Sequence, residues 1–111
     1  MKRLLIFCFP VLIISACKKQ SCYVDPSSCI QTKIDSGNWK GAPTGNSVKQ
    51  YEFKQKIVFV FEANPVADAA SAVYDQDCNR LGILGGLAGI REIEGVDFYA
   101  NARYIRTIWH D

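Results

Sequence analysis

The 111-residue chain has one histidine and little net charge, and each shortage removes a class of function. The single histidine, His110, stands beside Trp109 with no second imidazole, and no Cys-x-x-Cys pair occurs, so neither a zinc site nor a Ser-His or Cys-His nucleophile is expected. The 13 Lys and Arg exceed the 11 Asp and Glu only through Lys2 and Arg3, which lie in a leader. A neutral body lacks the basic surface that displaces counterions from phosphates, so no nucleic acid is expected as a partner. The longest uncharged apolar run, Leu4 to Ile14, is interrupted only by Pro10 and falls short of the roughly 20 residues that cross a bilayer as a helix. The glycines between Gly82 and Gly89 are not followed by the Lys-Ser or Lys-Thr of a phosphate loop. With no repeat, no cofactor motif and no catalytic set, the chain reads as one small noncatalytic domain that binds no cofactor.

What the sequence does contain begins with its leader. Met1, Lys2 and Arg3 precede the apolar run, and Ile14, Ser15, Ala16 and Cys17 follow as a branched apolar residue, two small residues and a cysteine. This segment resembles the lipobox of bacterial lipoproteins. The resemblance implies cleavage between Ala16 and Cys17 and acylation of Cys17, whose two or three acyl chains suffice for stable membrane attachment. Lys18 and Lys19 follow in place of an inner-membrane retention aspartate, which points to an outer-membrane anchor facing the periplasm. The expected organisation is a signal peptide over residues 1–16, a lipid-anchored tether over 17–26 and a single domain over 27–111.

Cys8 leaves with the leader and Cys17 takes lipid, so Cys22, Cys29 and Cys78 remain for an oxidising compartment. Three thiols allow three single bridges. Cys29 with Cys78 is the expected pair, because both lie within the body whereas Cys22 belongs to the tether; a bridge from Cys22 to either one, or to another chain, stays open.

Hydrophobic periodicity predicts an α+β fold: a small antiparallel sheet of about four to five strands with one or two short helices. A helix is expected over Ser27 to Ser36, capped by Asp25 with Pro26 or by Ser28 with Gln31, placing Ile30 and Ile34 on one face and stopping at Gly37. Val48 to Phe53 and Ile57 to Phe61 form a hairpin, and the second segment is apolar on both faces and therefore central. Trp39 to Asn46 reads as a loop, Ala63 to Ala70 as an irregular crossing, and Ser71 to Tyr74 with Arg80 to Leu84 as a second hairpin around Asp75 to Asn79. The stretch from Gly82 onward is too rich in glycine for a regular element. Asp97 caps a last helix through about Tyr104, and Ile105 to Trp109 closes the sheet as an edge strand.

Few constellations suggest chemistry. Asp75, Asp77 and Asn79 have the alternate spacing that opens a calcium loop, but Arg80 and Gly86 stand where that loop needs glycine and a bidentate glutamate, so a hairpin tip is expected. Glu92 and Glu94 flank Ile93 and share a solvated face. Tyr99, Tyr104 and Trp109 are candidates for a recognition surface.

The order of CIQTKI at Cys29 to Ile34, QYEFKQKIVFVF, VYDQDCN at Val73 to Asn79, the pair Gly85-Gly86 and the final IWHD is similar to an uncharacterised family of small bacterial lipoproteins of unknown function. The family's glycine-rich loop is flanked by further cysteines; here that stretch reads LGILGGLAGIREIEGVDFY and carries none. The resemblance implies no activity. The expected role is a lipid-anchored module that binds an envelope protein or a cell-wall component. The alternative is an inhibitor or immunity-type protein acting on an envelope enzyme through the loop from Gly82 to Gly95.

Overall fold

β-Branched and aromatic residues draw the segment between Ser47 and Glu62 into two antiparallel strands, β1 (Ser47–Phe53) and β2 (Lys56–Glu62), with Val48 opposite Phe61 and Phe53 opposite Lys56. The computed structural model describes residues 24–64 and 70–111. Only Lys54 and Gln55 join these strands, and both have positive φ, 54° and 67°. That backbone matches the twist of a two-residue hairpin but is one that side-chain-bearing residues adopt at a cost. The sheet continues through β3 (Ala70–Asp75) and β4 (Arg80–Gly85) on one side and β7 (Arg103–His110) on the other, in the order β4-β3-β2-β1-β7. The fold is α+β, with a five-stranded antiparallel sheet, a two-stranded one and two short helices.

Strand β2 lies at the centre, and its alternation loads both faces: Val58 and Val60 point one way, Phe59 and Phe61 the other, all four buried. Helix α1 (Ser28–Ser36) covers the second face with Ile30 and Ile34, packing on Val48, Phe59 and Phe61, while Trp39 meets Phe61 and Trp109 edge-on at 5.2 and 5.4 Å. The opposite face, formed by Phe53, Val58, Val60, Val73 and Leu84, is closed by Ile93 and Phe98. Ile93 comes from a small hairpin of β5 (Glu92–Ile93) and β6 (Val96–Asp97), and Phe98 opens helix α2 (Phe98–Asn101). Each fully buried side chain of this size contributes about 1.5–3 kcal/mol of burial, so neither face is dispensable.

Three local expectations are corrected. The cap of α1 is Ser27, not Asp25 or Ser28: its Oγ accepts from the Ile30 N–H at 3.2 Å, because Ser27 alone is placed to reach both α1 and the turn beyond β3. Helix α2 starts at the expected cap, Asp97, but ends at Asn101, and Tyr104 belongs to β7; pairing with Glu52 and Tyr51 of β1 claims Arg103 and Tyr104 for the sheet. The stretch from Gly82 onward is partly regular. Gly82 lies within β4, where a Cβ would come within 2.9 Å of Ile93 Cδ1, so its missing side chain makes room for β5 to pack.

Two buried polar side chains tie distant segments together. Gln50 Nε2 donates to the Val24 carbonyl at 3.0 Å and its Oε1 accepts from Arg106 Nε at 2.8 Å, so Val24, expected in the tether, is held on β1 and β7. Asn46, 1% exposed, accepts on Oδ1 from the Gly41 and Asn64 N–H groups at 3.1 and 2.7 Å. Its Nδ2 donates to the Ala42 carbonyl at 2.7 Å and to Asp111 Oδ2 at 3.1 Å. Buried polar groups of this kind are stable only when satisfied, and these are.

Candidate functional site

The start of α1 is clamped to the turn between β3 and β4. Ser27 N–H donates to Gln76 Oε1 at 2.9 Å, Ser27 Oγ donates to the Gln76 carbonyl at 2.7 Å, and Gln76 Nε2 donates to the Asp25 carbonyl at 3.2 Å. A disulfide joins Cys29, in the first turn of α1, to Cys78, with a Cα separation of 6.2 Å. The turn itself is built around Asp75, whose carboxylate accepts from the Asp77 and Asn79 N–H groups, each at 2.9 Å, and from Asn79 Nδ2 at 3.0 Å. Partial desolvation pushes the Asp75 carboxyl upward, but the hydrogen bonds from Asn79 and Asp77 outweigh it and hold the group below its ordinary value. The oxygens with calcium-loop spacing are thus engaged in shaping a turn. Among the described residues no cluster of three or more His, Cys, Asp or Glu side chains is placed to hold a metal ion.

At its other end α1 stops on Gly37, whose φ of 69° lets its N–H reach the Ile34 carbonyl; the Trp39 indole N–H also donates to that carbonyl, at 3.3 Å. Between the two ends, the flank of α1 forms one side of two adjoining depressions. One, of about 440 Å³, runs from the disulfide past Ser28 and Thr32 to Lys33 and Ser36. The second, of about 260 Å³, continues from Lys33 and Ser36 to Asn38, Trp39 and Tyr74. Lys33 and Ser36 border both, so the two share a seam. The half-buried Lys33 lies there with its ammonium 4.5 Å from the centre of the Tyr74 ring, a cation–π distance. Lys33 has no carboxylate partner among the described residues, whereas Lys40, Lys49 and Lys54 are paired with Asp111, Glu62 and Glu94.

A third depression, of about 300 Å³, lies at the β1–β2 turn between Glu52, Lys54, Val96 and Arg103. Its charges are engaged: Arg103 pairs with Glu52, and Lys54 with Glu94. Two more candidate surfaces are exposed. Leu87 is 87% exposed at the tip of a turn closed by reciprocal backbone bonds between Gly85 and Ile90, at 2.8 and 3.1 Å. Tyr99 and Tyr104 are 53% and 52% exposed, flanking Tyr51, whose phenol is pushed above its ordinary value first by burial and then by Glu62.

The other residues singled out from sequence are scattered. His110 is exposed at the end of β7, and Trp109 packs toward α1 instead of joining Tyr99 and Tyr104. Glu92 and Glu94 are both exposed around buried Ile93. Ala16, Cys17 and Cys22 lie outside the described residues. Sequence reasoning missed Ser27, Lys33, Asn46, Gln50 and Gln76 as organising residues. Of these only Ser27 carried a local signal, a serine two residues before the helical cysteine.

No curated protein and no solved structure matches this chain. Residues 33–111, which span α1 from Lys33 through β7 and include the seam of the two depressions, match the model of a domain of unknown function, and the chain belongs to that family, DUF6970.

Proposed function

We propose that this protein is a noncatalytic binding module of the bacterial cell envelope, attached to the membrane through lipid on Cys17 and facing the periplasm from the outer membrane. One observation carries the reading: Cys29 and Cys78 are bridged, which suits an oxidising compartment, the destination that the cysteine after Ile14-Ser15-Ala16 implies for a lipid-anchored chain. Support for binding comes from the flank of α1, where a clamped helix borders an open, preformed depression.

Intact mass measurement on protein taken from membranes, with and without reduction before thiol alkylation, tests the reading. A chain beginning at acylated Cys17 with two protected thiols is the expected result. A chain beginning at Met1 with free thiols refutes export, the anchor and the envelope role together.

A second reading, an inhibitor of an envelope enzyme acting through Gly82 to Gly95, is favoured by the exposure of Leu87 on its closed turn. Cross-linking in intact cells separates the two: an enzyme as dominant partner through Leu87 supports inhibition, whereas a cell-wall component or membrane assembly supports the binding module.

A further inference from the structure

We propose, resting on the binding-module reading, that the paired depressions along α1 form one site for a saccharide bearing a carboxylate, with Lys33 as the residue that selects the charge. Among the described residues the site carries one charge, the Lys33 ammonium, at the seam where the depressions meet, and no carboxylate borders either depression. Lys33 is half-buried and rests on the Tyr74 ring instead of on an acidic side chain. An ammonium held by an aromatic face keeps donors for an incoming anion, and partial burial protects that contact from screening.

The remaining border is made for a polyol. Ser28, Thr32 and Ser36 offer hydroxyls that donate and accept, Asn38 offers an amide, and Trp39 with Tyr74 supplies apolar surface at one end. Ser36 Oγ donates to the Lys33 carbonyl at 2.8 Å and accepts from the Asn38 N–H at 3.3 Å, which leaves one lone pair to accept with. The site is also preformed. Its helix is fixed at one end by the disulfide and the Ser27–Gln76 bonds, and at the other by the Gly37 cap, so binding does not have to order it. A peptide added as a strand would instead need a free, straight sheet edge. Of the two sheet edges, β7 carries two bulges, at Ile105 and Ile108, and the arginines Arg103 and Arg106, while β4 has a register shift opposite Val73 and Tyr74 and bridges to Ile90 at Gly85, features that discourage such pairing.

The test uses the full mature chain in detergent micelles and three probes: the N-acetylglucosamine–N-acetylmuramic acid disaccharide, the neutral disaccharide chitobiose, and an acidic peptide of alternating glutamate and serine. Calorimetric titration is expected to show the carboxylated disaccharide binding about tenfold more tightly than chitobiose, the ratio lost when a charge-assisted hydrogen bond is removed. Within the Lys33→Gln variant the carboxylated disaccharide and chitobiose are expected to bind equally, so that the wild-type ratio is lost, and Ser36→Ala is expected to weaken both sugars.

Equal affinity for the two sugars overturns the role of Lys33, tighter binding of the peptide overturns the saccharide class, and binding of none overturns the site. The mass measurement on Cys17 is read separately. An acylated chain that binds no probe sinks this inference alone, whereas an unacylated chain sinks the envelope reading whatever the titrations show.

Discussion

Replacing Asn46 by alanine tests the claim that one buried amide holds three segments together. The substitution strips the acceptor from the Gly41 and Asn64 N–H groups, now bonded at 3.1 and 2.7 Å, and the donor from the Ala42 carbonyl at 2.7 Å. Asn46 is 1% exposed, so solvent replaces the lost partners only in part. A buried group left unpaired costs about 1–3 kcal/mol, and because Gly41 is exposed and Asn64 half-buried, water offsets part of the loss at their N–H groups and the expected cost is about 1–3 kcal/mol in all. That is a large share of a small domain's stability.

Equilibrium urea unfolding reads this as a lower midpoint at unchanged slope. A companion variant isolates the electrostatics. Asn46→Asp keeps acceptors for both N–H groups but turns a carboxylate toward that of Asp111, where Nδ2 now donates at 3.1 Å. It is expected to destabilise at neutral pH, and combining it with Asp111→Asn is expected to restore the part that comes from carboxylate repulsion by reversing donor and acceptor, while the Ala42 carbonyl still lacks its donor. A loss below about 1 kcal/mol for Asn46→Ala, or no rescue in the double variant, would refute the hub.

Removing the bridge with Cys29→Ser and Cys78→Ser, which are 49 residues apart, is expected to cost about 4 kcal/mol through the unfolded chain's regained freedom, read as a lower urea midpoint. Lys54→Asn with Gln55→Gly relieves two positive-φ positions, and a gain of about 1–2 kcal/mol in the same assay is expected. Stability should also fall in acid. Asp111, held down first by the Asn46 N–H and then by further hydrogen bonds that outweigh desolvation, and Asp75 both sit below the ordinary value of 3.8. Groups depressed in the folded state contribute fully above that value and lose their contribution as pH drops through the folded value. Urea midpoints taken from pH 6 down to pH 2.5 should therefore decline mainly below about pH 4, and less steeply in Asp111→Asn.

Local pattern made several elements legible. The alternation in Val48 to Phe53, the continuous apolar run from Ile57 to Phe61, and the spacing of Ile30 and Ile34 each reflect burial by a neighbouring layer, so β1, a two-faced central β2 and α1 were readable from composition and period. Asp75 and Asn79 announced a turn because their side chains satisfy backbone groups only a few residues away. Where a residue's partner is remote, the sequence carried no mark. Gly82 falls inside the expected strand Arg80 to Leu84, but the reason for a glycine there, close contact with Ile93 of β5, lies across the face of the sheet. Tyr104 was assigned to a helix because the strand it joins is paired with β1, far back in the chain.

The same division governs the candidate site. By itself the sequence determined a nearly balanced charge, a short apolar run ending in Ile14-Ser15-Ala16-Cys17 and the positions of the five cysteines, because charge, hydrophobic run length and residue identity are properties of the chain alone. Only the tertiary structure decided that Lys33 lies against Tyr74 without a carboxylate partner among the described residues, that Gln76 holds the start of α1, and that Asn46 and Gln50 are buried and satisfied. Hydrogen bonds and ring contacts between segments tens of residues apart follow from how the layers pack, and no local period encodes them.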